Sequence, residues 1–217
     1  MKKDLTIKNM KLEASKFASY IASLDNQDIR GITDGKAVGT YLEKHFKEWL
    51  QEHYNSDNWG NAAKGIDLPS VNTDIKFTSI KQPQSSLPYK SASQKVLGLG
   101  YNLLVFVYDK DDSNEHNIKF IAVDFVVAEH TADFQITKQL LDAVKNEGND
   151  DDLFAILSDR NLPGDEITYR NIIEQVKNGK LKQGYLTISN ALQWRAQYGR
   201  IIQIAGTVEG VDKLYGE

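Results

Sequence analysis

Two aspartates and a lysine lie within one short stretch, GIDLPSVNTDIKFTS, at residues 65–79. Asp67 comes just before a predicted proline-containing turn, and Asp74 and Lys76 begin the predicted strand that follows. Because alternate side chains of a strand share a face, Asp74 and Lys76 point to the same side of that strand. A tight turn would bring Asp67 alongside Asp74. The spacing therefore predicts that two carboxylates and an amine meet at one place.

Groups of this kind have a definite chemistry. Two carboxylates held close together repel each other unless a cation lies between them. Oxygen ligands suit Mg²⁺, which takes one or two carboxylates together with waters and phosphate oxygens. The sequence thus favours Mg²⁺ bound by Asp67 and Asp74, with Lys76 orienting or helping to deprotonate an attacking water. Such an ion stabilises charge on a phosphate, which predicts metal-assisted hydrolysis of a phosphodiester. The alternative is an exposed hairpin whose polar residues serve only solubility.

Residues on either side of this stretch bear on that choice. Glu43 lies at the edge of the apolar stripe of a predicted helix at 34–53, where its carboxylate can reach the sheet. Gln94, in a short predicted helix after the strand, can contact a phosphate or a water. The segment QPQSSLPYKSASQK, at 82–95, is rich in the hydroxyls, amides and lysines that hold phosphates, and it supplies three candidate DNA contacts: Ser85, Ser86 and Lys90. Each of these features also suits an ordinary solvated surface.

A second set of candidate DNA contacts lies near the end of the chain, in NALQWRAQYGR at 190–200. Arginine to guanine and glutamine to adenine are standard contacts in the major groove. The candidate base-reading residues here are Gln193, Arg195, Gln197 and Arg200. The same side chains would also suit a plain surface or a dimer interface, so that alternative stays open.

The composition excludes several kinds of site. The chain of 217 residues has no cysteine, which excludes a disulfide framework, thiolate zinc sites and cysteine nucleophiles. Its apolar runs at 103–108 and 120–128 are too short to cross a bilayer as helices, and its N-terminal residues contain no apolar core of signal-peptide length. We therefore expect a cytoplasmic protein.

The distribution of charge matters more for a DNA partner than the net charge of -4. Two acidic stretches, at 109–117 and 146–152, carry more than the whole negative excess. The segment 160–203 holds seven basic and three acidic residues and is locally positive. An acidic protein of this kind can still offer a surface suited to DNA, although an ordinary solvated surface has the same composition.

Hydrophobic periodicity predicts the elements that must position these residues. The central strands are rich in Val, Ile and Phe, with helices before and after them. This order predicts an α/β fold, with a central mixed β-sheet flanked by helices on both faces. The predicted helices are 12–24, 34–53, a short one within 91–101, 132–146, 165–178 and 190–198, and the predicted strands are 66–68, 74–79, 102–108, 118–129 and 200–206.

In order and spacing, these residues resemble the PD-(D/E)XK nuclease superfamily and, within it, the type II restriction endonucleases. Asp67 and the triplet at 74–76 follow a helix that carries Glu43 and precede a helix that carries Gln94. The resemblance covers residues 36–127. It implies a restriction endonuclease-like fold and a Mg²⁺-dependent cut in double-stranded DNA.

The resemblance also implies roles for the site residues. Asp67 and Asp74 would bind Mg²⁺, Lys76 would position the attacking water, and Glu43 would complete the acidic cluster. The chain departs from the pattern at one point, because the proline follows Asp67 by two positions instead of preceding it, where Ile66 stands. This departure removes some of the motif's specificity.

A single nuclease domain is expected over residues 1–217, with a catalytic core at about 36–127 and an extension at 128–217 for dimerisation or DNA recognition. A homodimer is expected because two-fold symmetry supplies one active site for each strand of a palindromic target. A cognate DNA methyltransferase is implied by the family alone.

Two alternatives remain at this level. The first is a DNA repair or recombination nuclease on the same fold, such as a mismatch-nicking enzyme or a junction resolvase. The second is a non-catalytic module that binds DNA or protein, in which the acids of the hairpin are surface residues.

Overall fold

The computed structural model describes residues 2–55, 66–86, 91–160, 162–189 and 195–216. Within these ranges the helices are α1 (Ile7–Ala22), α2 (Gly35–His53), α3 (Ala92–Leu97), α4 (Phe134–Lys145), α5 (Asp150–Asp159), α6 (Glu166–Lys177) and α7 (Gly199–Ile204). The strands are β1 (Lys3–Asp4), β2 (Tyr54–Asn55), β3 (Thr73–Ser79), β4 (Gln84–Ser86), β5 (Asn102–Lys110), β6 (Ile118–Val126), β7 (Thr187–Ile188), β8 (Arg195–Gln197) and β9 (Val211–Tyr215).

The chain divides into two compact units. The first comprises residues 1–84, 103–126 and 204–217, and the second comprises residues 85–102 and 127–203. The expectation of a single nuclease domain over 1–217 is not tested by this division and stays a prediction.

A four-stranded sheet forms the centre of the first unit, in the order β3-β5-β6-β9. Strand β6 runs antiparallel to both β5 and β9. The backbone N–H of Ile80 donates to the Tyr108 carbonyl at 2.8 Å, which joins the carboxyl ends of β3 and β5 as parallel pairing requires. Helix α1 packs on β6 and β9, and α2 packs on β3. The predicted α/β class, with a central mixed sheet flanked by helices, is confirmed.

Phenylalanines fill the space between this sheet and its two helices. Phe106 of β5 is fully buried, and its ring stacks on Phe77 of β3 with 4.3 Å between centroids. Phe46 of α2 meets Phe106 at 5.1 Å, and Phe17 of α1 meets Phe46 at 5.0 Å. Gly39 of α2 lets the helix come close to β3, since a Cβ at this position would lie 3.4 Å from the Phe77 carbonyl oxygen. The aromatic contacts and the close approach at Gly39 together fix the position of α2 on β3.

Helices α3 to α6 pack around the core of the second unit, which includes Ile136, Leu140, Leu153 and Ile172. Helix α5 (Asp150–Asp159) begins within the acidic stretch 146–152 and was not predicted from the sequence. Asn149 caps this helix by accepting from the amides of the first turn, while Asp152 accepts from the Asn149 amide. The three acids of the first turn also suit the positive end of the helix dipole.

The sequence predictions fail at the end of the chain. Residues 200–206 were expected to form a strand, but α7 begins at Gly199 because Ile201 and Ala205 are buried one helical turn apart. Gly206, at φ 78°, lies just beyond this helix, and the last strand is β9, which was not predicted.

The helix expected at 190–198 is also wrong over its described part. Residues 190–194 lie outside the described residues, and Arg195–Gln197 form β8. Burial alternates here, with Ala196 and Tyr198 inside and their neighbours Arg195 and Gln197 exposed. That two-residue period belongs to a strand.

None of the helices in the described part of the chain combines the length and the apolar character that crossing a bilayer requires.

Replacing Phe106 with Ala is expected to lower the free energy of unfolding by about 3–5 kcal/mol, because the change removes a ring that contacts aromatic side chains from both helices and from β3. Phe106→Leu retains most of the apolar volume and should cost less. Urea denaturation followed by circular dichroism measures both variants. Equal stability of Phe106→Ala and the parent chain would contradict the packing described above.

Candidate active site

A short turn sets the distance between the two aspartates. The backbone groups of Leu68 and Thr73 bond to each other in both directions, at 2.9 and 3.1 Å, and close a loop around a 3₁₀ turn at Pro69–Val71. Asn72 completes the loop in the left-handed conformation, at φ 47° and ψ 47°, which asparagine adopts more readily than most residues. This closure returns the chain alongside Asp67.

Asp67 then takes the place of a backbone group in the pairing. Its Oδ2 accepts the backbone N–H of Ile75 at 2.9 Å, and its carboxyl lies within hydrogen-bond reach of the Asp74 side chain. The strand expected at 66–68 is reduced to a single bridge between Leu68 and Thr73, because the Asp67 side chain, and not its backbone, continues the pairing with β3.

Asp74 and Lys76 point to the same face of β3, as the alternation of the strand predicts. Asp74 is only 2% exposed, and its Oδ2 lies 2.8 Å from Nζ of Lys76. Ile75, between them, is buried and faces the other way with Phe77. Three of the predicted residues, Asp67, Asp74 and Lys76, therefore come together in space.

Helix α2 brings two further charges to the same place. Glu43 and Lys47 lie one helical turn apart, and Nζ of Lys47 is 2.7 Å from Oε1 of Glu43. The same Nζ is 2.7 Å from Oδ1 of Asp67. Glu43 thus reaches the aspartates through Lys47. Lys47 was not predicted as a site residue, although its spacing of four from Glu43 is a signal for an ion pair on one face of the helix.

The two aspartates have opposite pKa shifts. Burial raises the pKa of Asp74 to about 7, and its hydrogen bond to Asp67 adds to this effect. Burial alone would also raise the pKa of Asp67, but hydrogen bonds from Asp74, Lys47 and the Ile75 amide outweigh it and lower that pKa to about 2. In the metal-free protein at neutral pH, the pair therefore shares one proton for much of the time.

The donor set fits an ion that needs few protein ligands. Within the described ranges, no group of three or more acidic, histidine or cysteine side chains is placed to hold a metal. Two adjacent carboxyls that otherwise share a proton match Mg²⁺, which keeps several waters and accepts one or two carboxylates. Asp67 and Asp74 are the residues that would hold it.

Four of the DNA-contact candidates, Ser85, Ser86, Arg195 and Gln197, belong to one three-stranded sheet. The sheet has the order β4-β8-β7, so Ser86 of β4 and the β8 residues Arg195 and Gln197 lie on neighbouring strands, and all three side chains are exposed. Thr187 of β7 is also exposed and pairs with Gln197. We call Ser86, Thr187, Arg195 and Gln197 the polar sheet face.

Ser85 and the remaining candidates have different surroundings. The Ser85 hydroxyl hydrogen-bonds to the hydroxyl of buried Tyr198, and the Arg200 guanidinium stacks on the Phe134 ring with its central carbon 3.6 Å from the ring centroid. Gln94 is half-buried in α3. Lys90 and Gln193 lie outside the described residues. Ser85 and Arg200 thus have packing partners of their own, which the sequence did not indicate.

Comparison with known proteins assigns the chain to a class: it is a type II restriction endonuclease, a site-specific hydrolase of DNA. The family model described as "Type II restriction enzyme NspV" matches residues 4–213, and the chain belongs to that family. The Type II restriction enzyme NspV of Nostoc sp. (strain ATCC 29411 / PCC 7524) is 49% identical over 214 residues, which cover 97% of each chain. No solved structure matches the chain.

The prediction of a type II restriction endonuclease is therefore confirmed. The family match supports it over both alternatives, the repair or recombination nuclease and the non-catalytic binding module. The match extends over both units of the chain, well beyond the residues 36–127 that carried the resemblance.

The raised pKa of Asp74 predicts that this residue opposes folding when it is ionised. The unfolded chain loses the proton near pH 4 and the folded chain near pH 7, so stability falls as pH rises between these values, by about 1.4 kcal/mol per pH unit for one group. Asp74→Asn should remove this fall. In EDTA, the variant is expected to be more stable than the parent chain at pH 8, and the difference should shrink at pH 5.

Urea denaturation at the two pH values measures this difference, and Asp28→Asn, at an exposed position, is the matched control. A lower stability of Asp74→Asn than of the parent chain at pH 8 would show that the Asp74 carboxyl is not held in the unfavourable surroundings described.

Proposed function

We propose that this restriction endonuclease cuts double-stranded DNA at a Mg²⁺-dependent site of the PD-(D/E)XK type. Asp67 and Asp74 are the proposed metal ligands, and Lys76 is the residue proposed to orient the attacking water. The observation that supports this most strongly is the contact between the two carboxyls, with Nζ of Lys76 2.8 Å from the more buried of them. Two aspartates that lay far apart would not repel each other, so a divalent ion would have no repulsion to relieve.

Bound Mg²⁺ would lower the pKa of the attacking water and would place a positive charge beside the scissile phosphate. The residues of the chain do the positioning. Asp74 gives up its proton, and Asp67 is held by the Ile75 amide and by Lys47. With Asp74 ionised as a ligand, the Lys76 ammonium would donate to the attacking water and to the phosphate, which would fix the direction of attack.

Glu43 is proposed as the third acid of the site. Its carboxylate bonds to Lys47, and Lys47 bonds to Asp67. Glu43 therefore contributes by positioning Lys47 and, through it, Asp67, without a direct contact to the aspartates among the described hydrogen bonds.

The polar sheet face is the surface we propose for reading bases. Arg195 and Gln197 project on the same side of β8 because Ala196 between them is buried. An arginine and a glutamine on a short ribbon offer the donors that guanine and adenine accept in the major groove, which is wide enough for a two-stranded ribbon. Gln94, Ser85, Lys90, Gln193 and Arg200 remain proposals from the sequence for phosphate or base contacts.

The assembly and setting are proposed from the family. A homodimer would place one site on each strand of a two-fold symmetric target. A cognate DNA methyltransferase would protect the host's own copies of that target, and both proteins would act in the cytoplasm.

Asp74→Ala is expected to abolish cleavage of plasmid DNA in Mg²⁺. Loss of a partner that merely supports a metal ligand already costs 10- to 100-fold in metal affinity or activity, and loss of a ligand itself should cost about 100-fold or more. DNA binding in the absence of metal should be largely retained, because phosphate and base contacts lie elsewhere. Gel electrophoresis of digested plasmid and a gel-shift assay measure the two properties.

Asp28→Ala, at an exposed position away from the site, is the control and should cut normally. Discrete bands from Asp74→Ala, at a rate near that of the parent chain, would rule out the assigned site. Sequencing the ends of the products from the parent chain also identifies the target.

Gln197→Ala tests the polar sheet face. Loss of a bidentate contact to a base is worth about 1–3 kcal/mol of discrimination, so binding to the cognate site should weaken about 5- to 150-fold while binding to unrelated DNA stays the same. Gln51→Ala, an exposed glutamine of α2, is the matched control. Equal loss on cognate and unrelated DNA would assign Gln197 to a backbone contact instead.

A further inference from the structure

The Lys47 ammonium lies between the carboxylates of Glu43 and Asp67. Its Nζ lies 2.7 Å from Glu43 on its own helix and 2.7 Å from Asp67, which is 20 residues away in the chain. Its side chain is 21% exposed. Lys44, on the same helix, shows the contrast, because it is 70% exposed and its Nζ is 3.7 Å from Glu48. A solvated surface pair of that kind contributes little.

The bridge made by Lys47 divides the acids of the site. Its ammonium bonds to Oε1 of Glu43 and Oδ1 of Asp67. Oδ2 of Asp67 faces the Ile75 amide, and the Asp67 carboxyl also meets Asp74. The acids therefore form two pairs that share Asp67, and each pair offers one cation position: one between Glu43 and Asp67 and one between Asp67 and Asp74. Lys47 fills the first of these.

Many nucleases fill two such positions with two metal ions, about 3.5–4 Å apart, which clamp the attacking and leaving oxygens. An ammonium with three donors supplies one positive charge at a fixed distance from the helix, and it needs no ion from solution. It also keeps Asp67 ionised and aligned for a metal in the second position, since it holds Oδ1, while Oδ2 accepts the Ile75 N–H and keeps a further lone pair for an ion.

We propose that Lys47 is a built-in cation that replaces a second metal ion, so that each active site of this enzyme binds a single divalent ion. The inference rests on the proposed function of Asp67 and Asp74 as metal ligands. Lys47 is a positioning residue here, because it acts on Asp67 and Glu43 and not on the reacting atoms. Its removal should expose a second ion-binding position lined by Glu43 and Asp67.

The test counts bound ions. Electron paramagnetic resonance of free Mn²⁺ in titrations of the full chain should give one tightly bound ion per chain for the parent protein. Lys47→Met removes the charge while keeping a chain of similar length, and it is expected to bind two. Lys47→Arg keeps the charge and should bind one. Lys44→Met is the matched control on the exposed side of α2 and should also bind one.

The double variant Lys47→Met with Glu43→Gln identifies the new position. If the second ion sits between Glu43 and Asp67, the count should return from two to one. A thermal readout keeps the test decisive should Lys47→Met be unstable: Mn²⁺ should raise the midpoint of thermal unfolding more for this variant than for the parent chain, because the ion then relieves repulsion that Lys47 no longer balances.

Two ions bound by the parent chain, or a single ion bound by Lys47→Met with no extra stabilisation by Mn²⁺, would overturn the inference about Lys47 while leaving Asp67 and Asp74 as ligands. Failure of every variant to bind Mn²⁺ would overturn this inference and the proposed metal site together. Loss of cleavage in Asp74→Ala, measured separately, distinguishes the first result from the second.

Discussion

The repulsion between the Asp67 and Asp74 carboxyls determines which charges and contacts must surround them. Asp74 lies on β3, an outer strand of the central sheet, within hydrogen-bond reach of the Asp67 carboxyl, and Asp74 is almost fully buried. A lysine lies beside each carboxyl and offsets part of this repulsion: Lys47 contacts Asp67, and Lys76 contacts Asp74. A single proton makes up the remaining balance at neutral pH. In the proposed function, a divalent ion would replace that proton.

Holding such a pair in place requires support from elsewhere, because the pair itself disfavours the folded state. The opposite face of β3 supplies it. Phe77 stacks on Phe106, and the phenylalanines of α1 and α2 close over both rings. Apolar burial on one face of a seven-residue strand thus secures the polar groups on the other face. The helix that completes this packing is the one that carries Glu43 and Lys47, so the core and the site share an element.

The extent to which the sequence predicts this arrangement depends on how local each signal is. The alternation of Asp74, Ile75 and Lys76 places the side chains correctly because strand geometry leaves only two directions. The stripe of α2 likewise places Glu43 near the site. Lys47 escaped notice because its partner Asp67 is distant in sequence and reaches it only through tertiary packing. Hydrophobic periodicity also could not predict that the Asp67 side chain, and not its backbone, bonds to β3.

The end of the chain was predicted less well for a different reason. Apolar runs such as Ile201–Ile202 fit either a helix or a strand, and burial of Ile201 with Ala205 decides for the helix. The opposite error occurred at Arg195–Gln197, where alternation of polar and apolar residues already indicated a strand. The prediction of a helix at 190–198 gave more weight to the helical spacing of the amide side chains than to that alternation. Both errors fall where the predicted base contacts lie, but neither affects the residues around β3.

The loop closed by Leu68 and Thr73 limits how this family can diverge. Because packing of Ile75 and Phe77 holds the register of β3, one residue gained or lost between Asp67 and Asp74 would displace Asp67 from the Ile75 amide and from the Asp74 carboxyl. Such a change would damage folding and activity in one step. Length differences among relatives should therefore collect outside residues 67–76, and the seven-residue interval between the acids should persist even where their neighbours are replaced. The length of this turn should therefore be constrained as strictly as the two acids that it joins.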